Sequence, residues 1–171
     1  MSDIVTIYLG LGSSLGDRLA YLQSAVDGLH RPPEIWVKDV SPVYDCSPVG
    51  GIATHNFLNA IAVAETTLSP HAVLDIAHEL ERATGRRRAR RWDDRTLDID
   101  LLLYGDEKID TDDLVVPPLS LTQRLFYLVP LVDIAPDLID PRSGRLYREW
   151  MNAQADEEDV QPFEGTLRAP V

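Results

Sequence analysis

Hydrophobic positions along the chain fall into two patterns. Runs rich in β-branched and aromatic residues predict strands: Ile4 to Leu9, about 35 to 44, Phe57 to Glu65, and Leu97 to Tyr104. Two stretches with apolar residues at helical spacing lie between them. One runs from about Asp17 to His30, with Leu19, Leu22, Val26 and Leu29 on one face. The other opens at Ser69-Pro70, a serine N-cap followed by proline in the first turn. It carries Val73, Ile76, Ala77, Leu80 and Ala83 up to Gly85. Strand, helix, strand, strand, helix, strand predicts an α+β fold of the ferredoxin-like sandwich type, a mostly antiparallel sheet with helices packed on it.

Weaker signals fill the remainder. Gly10 to Asp17 is expected to be a turn from the first strand into the first helix. Its third glycine falls one place late for a dinucleotide fingerprint, and no Gly-Lys-Ser/Thr ending follows. Asp45 to Asn56 is a long loop holding Pro48, Gly50 and Gly51. Ile109 and Leu114 to Val116 are expected as short strand pieces, and Leu125 to Ile134 as a buried helix or turn. One domain over residues 1–155 is expected, followed by an acidic, mobile tail at 156–171.

The strand at Leu97 to Tyr104 breaks the apolar rule. Leu97, Ile99 and Leu101 alternate with Asp98 and Asp100, which places both carboxylates on one face about 7 Å apart. Such a pair calls for a positive partner, either a hard cation such as Mg2+ or an arginine. Arginines lie directly upstream: Arg82, Arg86, Arg87, Arg88, Arg90, Arg91 and Arg95 are seven of the sixteen basic residues. Against a formal net charge of −12, that cluster reads as a focused anion site and disfavours non-specific nucleic-acid binding. Arginines and paired carboxylates are the parts that hold a polyphosphate with its metal. Asn59 interrupts another apolar strand and needs hydrogen-bond partners from the protein or from a ligand. The single Cys46 allows no internal disulfide. Without a signal-like N-terminus or a long apolar run, a cytoplasmic protein with no membrane partner is expected.

Arg91-Trp92, then Arg95-Thr96-Leu97-Asp98-Ile99-Asp100-Leu101-Leu102-Leu103-Tyr104-Gly105, closely resembles the signature of the 6-hydroxymethyl-7,8-dihydropterin pyrophosphokinases. Leu11 to Arg18, Ser47 to Gly50, Phe57 to Ala60, Gly85 to Arg88, Arg124 with Phe126, and Val129 to Leu131 with Ile134 to Pro136 match further segments. The resemblance implies transfer of pyrophosphate from ATP to the hydroxymethyl group of a reduced pterin, releasing AMP. Its small-molecule substrates would be the pterin and ATP. It implies two Mg2+ ions on Asp98 and Asp100. Arg86, Arg95 and Arg124 would contact phosphates, with Arg86 and Arg95 joining the two aspartates as the catalytic set. Asn59, Phe57 and Phe126 would hold the pterin ring, bordered by Ser47 and Val49. Glu81, Arg88, Trp92 and Ile99 would line the nucleotide side.

Departures from the family pattern cluster on that nucleotide side. Pro118 replaces the usual histidine, His78 a glutamine, and Asp93-Asp94 the usual Gly-Pro; Asp113 and Val115 stand where some members contact ATP. Beside the ordinary enzyme, these departures leave a paralogue acting on a related pterin or with another donor, and a protein that binds pterin without transfer. From another class, the fold type and the arginine loop leave an RNA-binding module gripping phosphates.

Overall fold

The described part of the structure, a computed structural model, comprises residues 3–48, 55–85, 94–154 and 159–170. In chain order the elements are β1 (Val5–Ser13), α1 (Arg18–Leu29), β2 (Ile35–Val40), β3 (Tyr44–Cys46), β4 (Phe57–Thr66) and α2 (Pro70–Ala83). They continue with β5 (Asp98–Tyr104), β6 (Ile109–Asp110), β7 (Val115–Val116), a 3-10 turn (Leu119–Gln123), α3 (Leu125–Ile134), α4 (Tyr147–Asn152) and β8 (Val160–Pro162). The main sheet runs β5-β1-β4-β3-β8, with β2 also paired to β4, and every pairing is antiparallel. The expected α+β sandwich is therefore the observed one.

Alternation divides the sheet into two faces. Ile7, Leu9 and Leu11 of β1, Leu58, Ala60, Ala62 and Ala64 of β4, and Leu97, Ile99 and Leu101 at β5 point to one side. There they meet Leu22, Ala25, Val26 and Leu29 of α1 and Val73 and Ala77 of α2 in one continuous core. Full burial of each large side chain contributes about 1.5–3 kcal/mol. The helix starts are capped as their sequences predict: Asp17 accepts from the Ala20 N–H and Ser69 from the Ala72 N–H, each at 3.2 Å. The second face packs Ile61 and Leu102 against Tyr127, Leu128 and Leu131 of α3 and Tyr147 of α4.

Three expectations are corrected. Gly10 to Ser13 are not a turn; β1 continues through Ser13, and the chain turns at Gly16, whose φ is +74°. The glycines lie within the strand because bulky groups on the second face approach its backbone. The stretch at 35 to 44 splits in two at Ser41-Pro42. Pro42 lacks an N–H for the ladder, while the buried Ser41 hydroxyl accepts from the Ile61 N–H at 2.8 Å and keeps the bend on β4. The tail is not loose where it is described. Residues 160–162 form β8 on β3, and Leu167 joins the helical core, because the chain beyond the acidic residues is apolar enough to pack.

Candidate active site

The second face is open over the ends of β1, β4 and β5, and there the sheet carries polar residues. Register fixes them: Gly12 of β1 stands opposite Asn59 on one side and Asp98 on the other. One step along, Gly10 lies between Ile61 and Asp100. A Cβ on Gly12 would stand 3.0 Å from Asn59 Nδ2 and 3.9 Å from Asp98 Cβ. The missing side chain thus leaves a floor between an amide and a carboxylate. A pocket of about 410 Å³, counting its open mouth, rises from it between Cys46, Ser47, Phe57, Arg95, Phe126 and Tyr127.

Within this pocket the pterin-side expectations come together. Phe57 and Phe126 both line it, and Phe126 meets the Tyr127 ring edge-on, with centroids 4.6 Å apart. Asn59 is 3% exposed, and its Oδ1 is a buried acceptor with no partner among the described residues. An unpaired buried amide oxygen costs about 1–3 kcal/mol, so a ligand with an N–H at that place is the natural complement. Ser47 is at the rim, where its N–H donates to the Asp159 carbonyl at 2.9 Å and its hydroxyl accepts from the Asp159 N–H at 3.1 Å. That clasp brings the C-terminal segment to the pocket edge.

Asp98 and Asp100 project from β5 onto the same face. Arg95 Nη1 donates to Asp98 Oδ1 at 3.2 Å, with both side chains largely covered. Arg95 thus supplies a positive partner to Asp98, while the Tyr127 hydroxyl donates to Oδ2 of Asp100. The carboxyl of Asp100 is pushed up to about 7, first by burial, then by the neighbouring charges of Asp98 and Glu81; a hydrogen bond from Tyr127 and the charge of Arg95 act in the opposite sense. Burial and the same two aspartates hold the Tyr127 phenol well above its ordinary value. A half-buried pair of carboxylates on one face of the strand fits a divalent cation. Among the described residues no third His, Cys, Asp or Glu completes a ligand cluster with the pair. Such a donor set matches Mg2+, which is commonly held by one or two carboxylates with substrate phosphates and water.

Arg95 is held by its main chain. Its N–H donates to Ser14 Oγ at 2.9 Å, and its carbonyl accepts from the N–H groups of Ser14 and Leu15 at 2.8 and 3.2 Å. Asp94 Oδ1 accepts from the Ser14 hydroxyl at 3.2 Å and the His55 N–H at 3.1 Å, while Oδ2 lies 3.1 Å from His55 Nδ1. The chain entering β4 is thus joined to the chain entering β5. In the sequence Asp94 stands out only as part of the replacement of the family's Gly-Pro, with no partner indicated.

The nucleotide-side expectations fare differently. Glu81 is 3% exposed, and its Oε2 accepts from the Ile99 N–H at 2.8 Å, pinning α2 to β5. The Ile99 side chain belongs to the helical core. Alternation turns the Ile99 side chain away from Asp98 and Asp100 and leaves its main chain at the Glu81 carboxylate. Arg124 sits at the start of α3, half-buried, and its Nη1 reaches the Gln123 carbonyl at 3.5 Å. Arg86, Arg88, Trp92 and Val49 lie outside the described residues. Tyr127 was not anticipated; its aromatic position beside Phe126 gave only a core signal.

A paired-carboxylate strand beside an arginine and an aromatic-lined pocket thus share one face of an α+β fold. The profile of the 7,8-dihydro-6-hydroxymethylpterin-pyrophosphokinase (HPPK) family matches residues 8–136, and the chain belongs to that family. It is 39% identical over 167 residues to the 2-amino-4-hydroxy-6-hydroxymethyldihydropteridine pyrophosphokinase of Pseudomonas aeruginosa, covering 98% of each chain. It is 43% identical over 157 residues to the protein of the same name from Methylorubrum extorquens, covering 92% of this chain and 98% of that one. A Plasmodium falciparum HPPK-DHPS structure shares the fold with a TM-score of 0.69 at 13% identity, over 89% of this chain and 45% of that one. The chain thus spans less than half the length of that protein. No helix among the described residues is long and apolar enough to cross a membrane.

Proposed function

We propose that the pocket over Gly12 takes a reduced pterin and that Asp98 and Asp100 hold the magnesium of ATP beside it. The reaction is that of the family: pyrophosphate passes from ATP to 6-hydroxymethyl-7,8-dihydropterin, as in folate biosynthesis. The pterin hydroxyl oxygen bonds to the β-phosphorus, the bond from that phosphorus to the α,β-bridging oxygen breaks, AMP leaves with that oxygen, and the hydroxyl proton is lost. Bound Mg2+ supplies charge neutralisation on the phosphate oxygens.

The observation that carries this reading is the glycine-floored gap between Asn59 and Asp98. Asn59 on β4 and Asp98 on β5 flank β1 at one level of the sheet, the amide suited to a ring edge and the carboxylate to the phosphate side. Asn59 Oδ1 accepts from an N–H on the pterin edge, and Phe57 and Phe126 cover its faces. Arg95, pinned by Ser14, steadies Asp98 and meets phosphate charge. Asp98 lines the pocket and is suited to orient the substrate hydroxyl or accept its proton. Most of the acceleration comes from positioning and fixed charge. Roles for Arg86, Arg88, Trp92, Arg124 and Val49 rest on the family motif.

Incubation with ATP, Mg2+ and 6-hydroxymethyl-7,8-dihydropterin should yield AMP and the pterin diphosphate in equal amounts by mass spectrometry. Folded protein at high concentration that released no AMP would overturn the assignment.

A further inference from the structure

Tyr127 has no part in the steps above, yet it occupies the centre of the site. The residue is 4% exposed, and its hydroxyl donates to Oδ2 of Asp100. It reaches that oxygen only because β1 carries glycine beneath the ring. A Cβ at Gly10 would stand 2.5 Å from Cε1 and 2.8 Å from Cζ of Tyr127. Gly10 is paired in register with Asp100, so the glycine, the ring and the carboxylate are directly juxtaposed. Phe126 closes one flank of the ring edge-on. A side chain confined this closely has few places to move.

Resting on the assignment of Asp100 as a metal ligand, we propose that Tyr127 is a positioning residue that occupies Oδ2 of Asp100 and so presents Oδ1 alone to the cation. A hydrogen bond to the non-ligating oxygen fixes the rotation of the carboxylate, and loss of such a partner typically costs about 10- to 100-fold in metal affinity. Single-oxygen binding also bears on metal choice. Mg2+ demands a compact, near-octahedral shell, whereas Ca2+ accepts bidentate carboxylates at longer distance. A phenol on Oδ2 blocks the bidentate mode. The hydroxyl therefore favours Mg2+ over Ca2+, an effect that packing of the ring alone does not produce.

Calorimetric titration of the full chain with Mg2+ and with Ca2+, each in the presence of α,β-methylene ATP, tests this. Tyr127→Phe keeps the ring and removes the donor. It should bind Mg2+ roughly 10- to 100-fold more weakly than the parent while Ca2+ binding holds or improves, so that the preference narrows. Excess Mg2+ should restore its turnover. Gly10→Ala, which displaces the ring with its hydroxyl intact, should show the same loss, and the double variant should be no worse than the weaker single. Tyr127→Phe that bound Mg2+ within about threefold of the parent, with the preference over Ca2+ unchanged, would overturn the role of Tyr127 and leave the aspartate assignment standing. A parent protein that bound no Mg2+ would overturn both.

Discussion

The two faces of the central sheet are made from the same strands and do opposite work. On the side of α1 and α2, Ile7, Leu9 and Leu11 of β1, Leu58, Ala60, Ala62 and Ala64 of β4, and Ile99 and Leu101 of β5 are apolar and covered. On the other side, the same strands place Gly10 and Gly12, Asn59, and Asp98 and Asp100 at neighbouring positions. The first face gains stability from burial. The second gives some of it up, keeping an unpaired amide oxygen and a carboxylate whose affinity for its proton is raised. Because adjacent residues serve opposite faces, the site is mounted on a core that cannot yield without distorting the strands. Rigid mounting is what a reaction dependent on positioning requires.

The sharpest way to break the comparison is at the aspartates. Asp98→Ala or Asp100→Ala should lower turnover by about a thousandfold or more, the several kcal/mol that a metal contributes, while the metal-free protein melts no lower than the parent. If activity survived, the polar face would not be the catalytic one. The reciprocal change is Leu9→Ala or Leu22→Ala, which opens the helical core and should cost about 2–5 kcal/mol in denaturant unfolding. The surviving folded fraction should retain its KM for both substrates.

Asn59→Ala separates the pterin from the metal within the polar face. Its KM for the pterin should rise roughly 10- to 100-fold, the worth of a well-made buried hydrogen bond, with Mg2+ affinity held. An equal loss in Mg2+ affinity would show that the two halves of the site are not independent.

A further contrast is in the pH dependence of the metal-free protein. The Asp100 carboxyl lies near 3.8 ordinarily and about 7 in the fold, so between those values the folded state holds a proton that the unfolded state has released. Stability should therefore fall as pH rises from about 4 to about 7 and level off above, the opposite of a carboxylate gaining a salt bridge. Asp100→Asn should flatten that slope and raise the melting temperature most above pH 7. A thermal melt series without Mg2+ reads both.

Much of the polar face was legible in the primary structure. The alternation at Leu97 to Leu101 marked Asp98 and Asp100 as a pair, and Asn59 stood out in an apolar strand. Gly10 and Gly12 misled, since glycines after a strand usually signal a turn. Their use here is to let Tyr127 approach the backbone at Gly10 and Asn59 at Gly12 from other parts of the chain, which no local pattern records. Motif marked Glu81 and Ile99, but only the fold joins them, through the Ile99 N–H on the Glu81 carboxylate. The C-terminal segment was discounted for its acidic run, although three residues beyond it add a strand.

By itself, the sequence determined the alternation of strands and helices, the face to which each strand residue turns, and the chemistry of paired carboxylates beside arginine. Those are consequences of side-chain periodicity and local charge. Tertiary structure alone decided that Gly12 would separate Asn59 from Asp98, that Ser14 and Asp94 would anchor Arg95 and join it to His55, and that Tyr127 would reach Asp100. Each of those depends on strand register or on the packing of α3 across the sheet, and such pairings between distant segments are fixed only when the chain closes on itself.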